Sequence, residues 1–148
     1  MSDLGDLYQE MILEHSKSPR NFHAMGAGSR SAEGFNPLCG DHYTVYLDIA
    51  SNSIRDISFQ GSGCAISKAS ASMMSQVLKN KTPAEAEELF RQFHAVVTGG
   101  AGQGDADSLG RLAVFAGVAK FPTRIKCATL AWHALHAALT GEQVASTE

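Results

Sequence analysis

The chain is short of cysteine, of positive charge and of long apolar runs, and each shortage removes a class of protein. Its three cysteines, Cys39, Cys64 and Cys127, are odd in number and widely separated, which argues against a disulfide framework and supplies no close cysteine pair of the zinc-finger kind. Twelve Lys and Arg against 15 Asp and Glu leave a formal charge of −3, so no basic footprint for nucleic acid or an anionic membrane exists. No apolar run approaches membrane-spanning length. The opening Met1-Ser2-Asp3-Leu4-Gly5-Asp6 lacks a positive region followed by an apolar stretch and a cleavage site, and a cytoplasmic protein is expected. Repeats and linkers are also missing. The 148 residues fit one domain, 1–148, able to bury roughly two thirds of its unfolded surface.

What is present is strong patterning. Leu4, Leu7, Tyr8, Met11 and Ile12 recur at three- and four-residue steps, predicting an amphipathic helix that ends near Ser18-Pro19. Residues 20–35 read as a loop with one short strand around Ser31–Phe35. Tyr43, Val45, Leu47 and Ile49 alternate with polar residues; turn chemistry at Ser51-Asn52-Ser53 and a second strand, Ile54 to Gln60, complete an antiparallel hairpin. Cys64 to Asn80 has helical spacing, and Thr82-Pro83-Ala84-Glu85 is a capping box with proline at the first helical position, opening a helix to about His94. Val96 to Asp107 is Gly-rich and reads as a mobile loop. Leu109 to Ala119 reads as helix, and a last helix runs from Cys127 to Thr140, stopped by Gly141. The expected fold is α+β: a small antiparallel sheet of about three strands with helices on one face.

Each cysteine stands beside the start of an element in this reading. Cys39 precedes a strand, and Cys64 and Cys127 open helices, where unpaired N–H groups and the macrodipole favour a thiolate. Cys39 and Asp41 are two apart and project to one side of an extended segment, with Gly40 between them permitting close approach or an unusual turn. Cys39, Asp41, Cys64 and Cys127 together make a four-ligand set suited to zinc, and Arg124 and Lys126 lie ready to offset its excess negative charge. The alternative is three small hydrophobes in a core beside a solvated basic turn.

Three motifs carry a family resemblance. Asn36-Pro37-Leu38-Cys39-Gly40-Asp41, Gly61-Ser62-Gly63-Cys64-Ala65-Ile66-Ser67 and Phe121-Pro122-Thr123-Arg124-Ile125-Lys126-Cys127 closely resemble the U-type iron–sulfur cluster assembly proteins, the IscU/NifU-like family. The match includes Leu7 to His15 and the Ser18-Pro19-Arg20-Asn21 turn. Lys126 replaces the histidine that precedes the third cysteine in the IscU branch, and a stretch at about Val96 to Gly117 is added; both features resemble the SufU branch. That resemblance implies an IscU/NifU-N-like fold with Cys39, Asp41, Cys64 and Cys127 as zinc ligands. It implies a zinc-dependent sulfurtransferase whose Cys39 accepts persulfide sulfur from a SufS-like cysteine desulfurase and passes it to downstream iron–sulfur assembly proteins, with Arg124 helping to dock the partner. The competing reading is a scaffold that builds a transient iron–sulfur cluster. A purely structural zinc module and a cysteine hydrolase are weaker alternatives.

Other features carry simpler readings. His42 is either a substitute ligand or a solvated strand residue, and His15, His23, His94, His133 and His136 read as surface or boundary residues. Gly99 to Gly104 lacks the lysine-serine ending of a phosphate loop. Met73, Met74 and Trp132 read as core.

Overall fold

A computed structural model describes residues 2–26, 29–37, 40–100, 109–141 and 144–146. The first helix, α1 (Ser2–Lys17), rests Met11 and Ile12 against the core; the side chains of Leu4, Leu7 and Tyr8 lie outside the described residues. Strands β1 (Arg30–Asn36), β2 (Asp41–Ala50) and β3 (Ser53–Ser62) form the expected antiparallel meander. The β2–β3 turn is the two residues Ser51 and Asn52, both at positive φ, as a type I′ hairpin requires. Alternation on β2 buries Asp41, Tyr43, Val45 and Leu47 on one face and turns His42 to the other. A register shift at Asp48/Ile49 ends that alternation, which is why Ile49 is only half-buried.

Helices α2 (Ala65–Leu78), α3 (Pro83–Val97) and α4 (Pro122–Thr140) follow, with an 11-residue 3-10 helix at Gly110–Lys120 between the last two. A short strand β4 (Val144–Ser146) adds to β1 in parallel, so the sheet order is β3-β2-β1-β4. The α3 capping box forms as expected: the Glu85 N–H donates to Thr82 Oγ1 (3.1 Å), and the Thr82 N–H donates to Glu85 Oε1 (2.9 Å). The helix continues to Val97, so Val96 and Val97 are buried helical residues, not loop; residues 101–108 of the expected Gly-rich loop lie outside the described residues.

Trp132 is the centre of the helical layer. It stacks on Phe93 with ring centroids 4.7 Å apart and on Phe90 at 6.1 Å, and its indole N–H donates to Ser70 Oγ (3.1 Å), whose hydroxyl donates to the Ala128 carbonyl (2.6 Å). Ser70 is one of four buried serines on α2, with Ser67, Ser72 and Ser75. Their small side chains let neighbours approach, and their hydroxyls anchor what arrives: Ser72 meets His15 Nδ1 (2.7 Å) and the Arg20 N–H (2.8 Å), and Ser75 accepts from Asn21 Nδ2 (2.9 Å). His15 is therefore a buried histidine, 2 % exposed, and not a surface residue; the α1 periodicity misses it because its partner is polar. Among the described residues, no helix is long and apolar enough to cross a membrane.

Candidate metal centre

One residue of the candidate site, Asp41, is set by the end of the sheet. The β1–β2 connection is tight, because Asn36 and Asp41 are cross-strand partners. Gly40 closes it at φ +79, with its N–H on the Asn36 carbonyl (2.8 Å), a conformation that favours glycine. Strand alternation then drives the Asp41 carboxylate inward, where it is 3 % exposed. Cys39 falls outside the described residues, as does Leu38.

Cys64 is the N-cap of α2, in extended conformation, and its Sγ accepts from the Ser67 N–H at 3.4 Å. Its own N–H donates to Asp41 Oδ1 (3.1 Å), while Sγ lies 3.8 Å from Asp41 Oδ2. The helix-terminus argument thus holds for Cys64. It does not hold for Cys127: α4 begins at Pro122, with proline in the first turn, so Cys127 is the sixth residue of the helix and buried, 4 % exposed. The Phe-Pro sequence starts the helix where the sequence reading treats it as a break.

Despite that shift, Asp41, Cys64 and Cys127 each present a ligand atom, all within 4.8 Å of one another. The Cys64 thiol is held well below the ordinary thiol range. Hydrogen bonding with Cys127 is the main cause, helped by the N–H and hydroxyl of Ser67 and opposed by burial and the Asp41 charge. Two sulfurs and a carboxylate in a buried space are costly as anions unless a cation joins them. The donor set fits zinc in chemistry and in spacing, since Zn–S and Zn–O bonds of about 2.3 and 2.0 Å put tetrahedral ligands roughly 3.6 Å apart.

The sequence reading missed the polar groups around this trio. Tyr43 OH lies 2.9 Å from Ser67 Oγ, which also lies 3.0 Å from the Cys64 carbonyl, so one hydroxyl links the strand to the cap of α2. Burial raises the Tyr43 pKa, keeping the phenol protonated. Gly63 completes the enclosure: a Cβ there would come within 2.5 Å of Ser67 Oγ, 2.6 Å of Tyr43 OH and 2.8 Å of Asp41 Oδ1. The signal was present, because Ser67 stands three residues after an N-cap, where a backbone N–H turns back to the cap side chain.

Arg124, in the first turn of α4, is exposed, and Lys126 is half-buried. Arg124 and Cys64 both line a groove of about 770 Å³, walled mainly by Ile12, Ile66, Val114, Val118 and Phe121. His42 is not brought to the trio; its Nε2 pairs with Glu33 Oε1 at 2.7 Å on the outer face of the sheet.

A meander backed by helices, with one thiol from the cap of α2, one from α4 and a carboxylate from β2 converging, forms a candidate metal centre. The chain belongs to the IscU/SufU family of iron–sulfur cluster assembly proteins: the NifU-like N terminal domain model matches residues 7–128. It is 40% identical over 139 residues to the iron-sulfur cluster assembly scaffold protein IscU of Streptococcus pyogenes serotype M1, covering 94% of this chain and 86% of that one. It is 37% identical over 142 residues to the zinc-dependent sulfurtransferase SufU of Bacillus subtilis strain 168, covering 96% and 95%. Among solved structures it superposes with a TM-score of 0.81 on a crystal structure from Fervidobacterium islandicum AW-1, described as an iron-sulfur cluster assembly scaffold protein for the SUF system. That pair is 34% identical and covers 88% of this chain and 94% of the other.

Proposed function

We propose that this protein is a zinc-dependent sulfur acceptor, taking persulfide sulfur from a SufS-like cysteine desulfurase and handing it to downstream iron–sulfur assembly proteins. The observation that carries the reading is the convergence of Asp41, Cys64 and Cys127 within 4.8 Å. Cys39 is the proposed fourth ligand and the acceptor; two residues from Asp41, its Cα can be no further from that of Asp41 than about 7.6 Å. Bound zinc would supply a positive charge that keeps the cysteine sulfurs as thiolates at neutral pH.

The chain's own residues do the rest. Asp41 and Cys64 are locked to each other by the Cys64 N–H, and Cys127 is fixed inside a helix, which leaves Cys39 as the proposed acceptor. The Cys39 thiolate attacks the outer sulfur of the donor's cysteine persulfide; the donor S–S bond breaks, a new S–S bond forms on Cys39, and the donor cysteine departs as thiolate. The apolar groove beside Cys64 suits an extended partner segment that excludes water from this exchange, with Arg124 as the docking cation.

Lys126, in place of a histidine that would offer another metal ligand, favours sulfur transfer over cluster building. A scaffold for a transient iron–sulfur cluster is the second reading, favoured by the similarity to the Streptococcus protein. Desulfurase assays with and without the protein separate them. Cys39→Ala is expected to lower stimulation of the desulfurase at least tenfold while circular dichroism is unchanged, and retained stimulation contradicts the mechanism. A cluster that forms anaerobically, displaces zinc and transfers to an apoprotein favours the scaffold.

A further inference from the structure

The seam between α3 and α4 holds a second group of titratable side chains that the cysteine site does not use. The helices run in opposite senses across it: Glu87 meets His136, and His94, one and nearly another turn further along α3, meets His133. The result is two rungs with Phe90 between them, its ring 5.1 Å from that of His133, 6.0 Å from His136 and 6.3 Å from His94. One rung is closed, since His136 Nδ1 reaches both Glu87 oxygens at 2.7 and 2.9 Å. The other is open. The His94 and His133 rings stand 6.3 Å apart at 83°, and among the described residues neither ring nitrogen has a hydrogen-bond partner.

We propose that His94 and His133 form an interhelical site for a divalent transition ion of borderline softness, such as zinc or nickel, with water completing its coordination. Imidazole nitrogen matches such ions, whereas hard ions prefer oxygen and copper(I) prefers sulfur. Two imidazoles on one tetrahedral zinc, at Zn–N of about 2.0–2.1 Å, place their centroids roughly 5–5.5 Å apart. The pair has to close by about 1 Å, which rotation of the exposed His94 side chain provides. His133 is ready as a ligand, because burial and the neighbouring His94 and His136 lower its pKa and keep a lone pair available at neutral pH. The frame is held by the α3 capping box and the Phe93–Trp132 stack. Six residues separate His133 from Cys127 on α4, about 9 Å along the axis and on another face, so the two centres are distinct.

The test is a zinc titration at pH 7.5 followed by long-range ¹H–¹⁵N spectra of the imidazole rings, in the wild-type chain and in Cys64→Ser, which disables the cysteine site. The rings of His94 and His133 are expected to shift together with a micromolar midpoint in both proteins, and His94→Ala is expected to weaken that midpoint at least tenfold. Absence of any shift up to millimolar zinc overturns the site, as does a response confined to His15, His23 or His42 or an unchanged midpoint in His94→Ala. The Cys64→Ser arm keeps this outcome separate from the fate of the sulfur-acceptor reading.

Discussion

At the scale of single residues, the site depends on an atom that is missing. Gly63 has no side chain in the one place where the Asp41 carboxylate, the Ser67 hydroxyl and the Tyr43 phenol all crowd in, and a methyl group there has to push at least one of them away. Gly63→Ala is therefore expected to weaken zinc binding at least tenfold, measured by competition with a chromophoric chelator, and to lower stability by about 1–3 kcal/mol through strain and overpacking. An affinity equal to wild type would mean that the carboxylate is not a ligand of the proposed ion. The glycine is plain in the sequence as part of Gly61-Ser62-Gly63-Cys64, but periodicity says nothing of its role, because the three groups that enclose it come from β2 and α2.

Elements carry their own consequences for pH. His15 joins α1 to α2 from a buried position, and His133 is half-buried in the α3–α4 seam; burial lowers both pKa values, with neighbouring positive charge adding to the effect. In the unfolded chain each titrates near the ordinary value of about 6.5. Below that value the unfolded state binds more protons than the folded one, so stability falls as pH drops through 6.5 towards the lowered folded values, and above it the two states do not differ. Urea midpoints measured from pH 8 to pH 5.5 are expected to be flat at first and then to decline, with a smaller decline in His15→Asn. A midpoint that rises on acidification would refute the assignment. Element boundaries also show where local signals compete. The capping box of α3 and the Ser51-Asn52 turn were legible because each is a local hydrogen-bonding or φ requirement. The start of α4 was not, since Pro122 serves equally as a helix breaker or a first-turn residue, and only packing of Ile125 and Cys127 against the core decides.

For the whole molecule, the question is whether zinc at the proposed site would hold the fold or be held by it. A continuous core runs from the sheet face through Trp132, Phe93 and Phe115 to Leu112, far larger than that of a zinc finger, where metal binding supplies about 10–16 kcal/mol of folding free energy. Removing zinc with a chelator is expected to leave the far-ultraviolet circular dichroism intact. The melting temperature should fall by about 10 °C, the shift for a ligand present near a thousand times its dissociation constant. Loss of secondary structure on chelation would instead support a purely structural zinc module.

The amino-acid order alone determined the antiparallel hairpin, the capped α3 helix and the stop at Gly141, and it offered Cys39, Asp41, Cys64 and Cys127 as a candidate group, because these rest on periodicity, turn chemistry and motif. Only the tertiary structure decided that Cys127 lies inside a helix and meets Asp41 and Cys64, that His42 turns away while Asp41 turns in, that His15 is buried against α2, and that His94 meets His133 across a seam. Local preferences act between near neighbours in the chain, whereas each of those facts depends on which faces of distant elements are forced together when the apolar surface is buried.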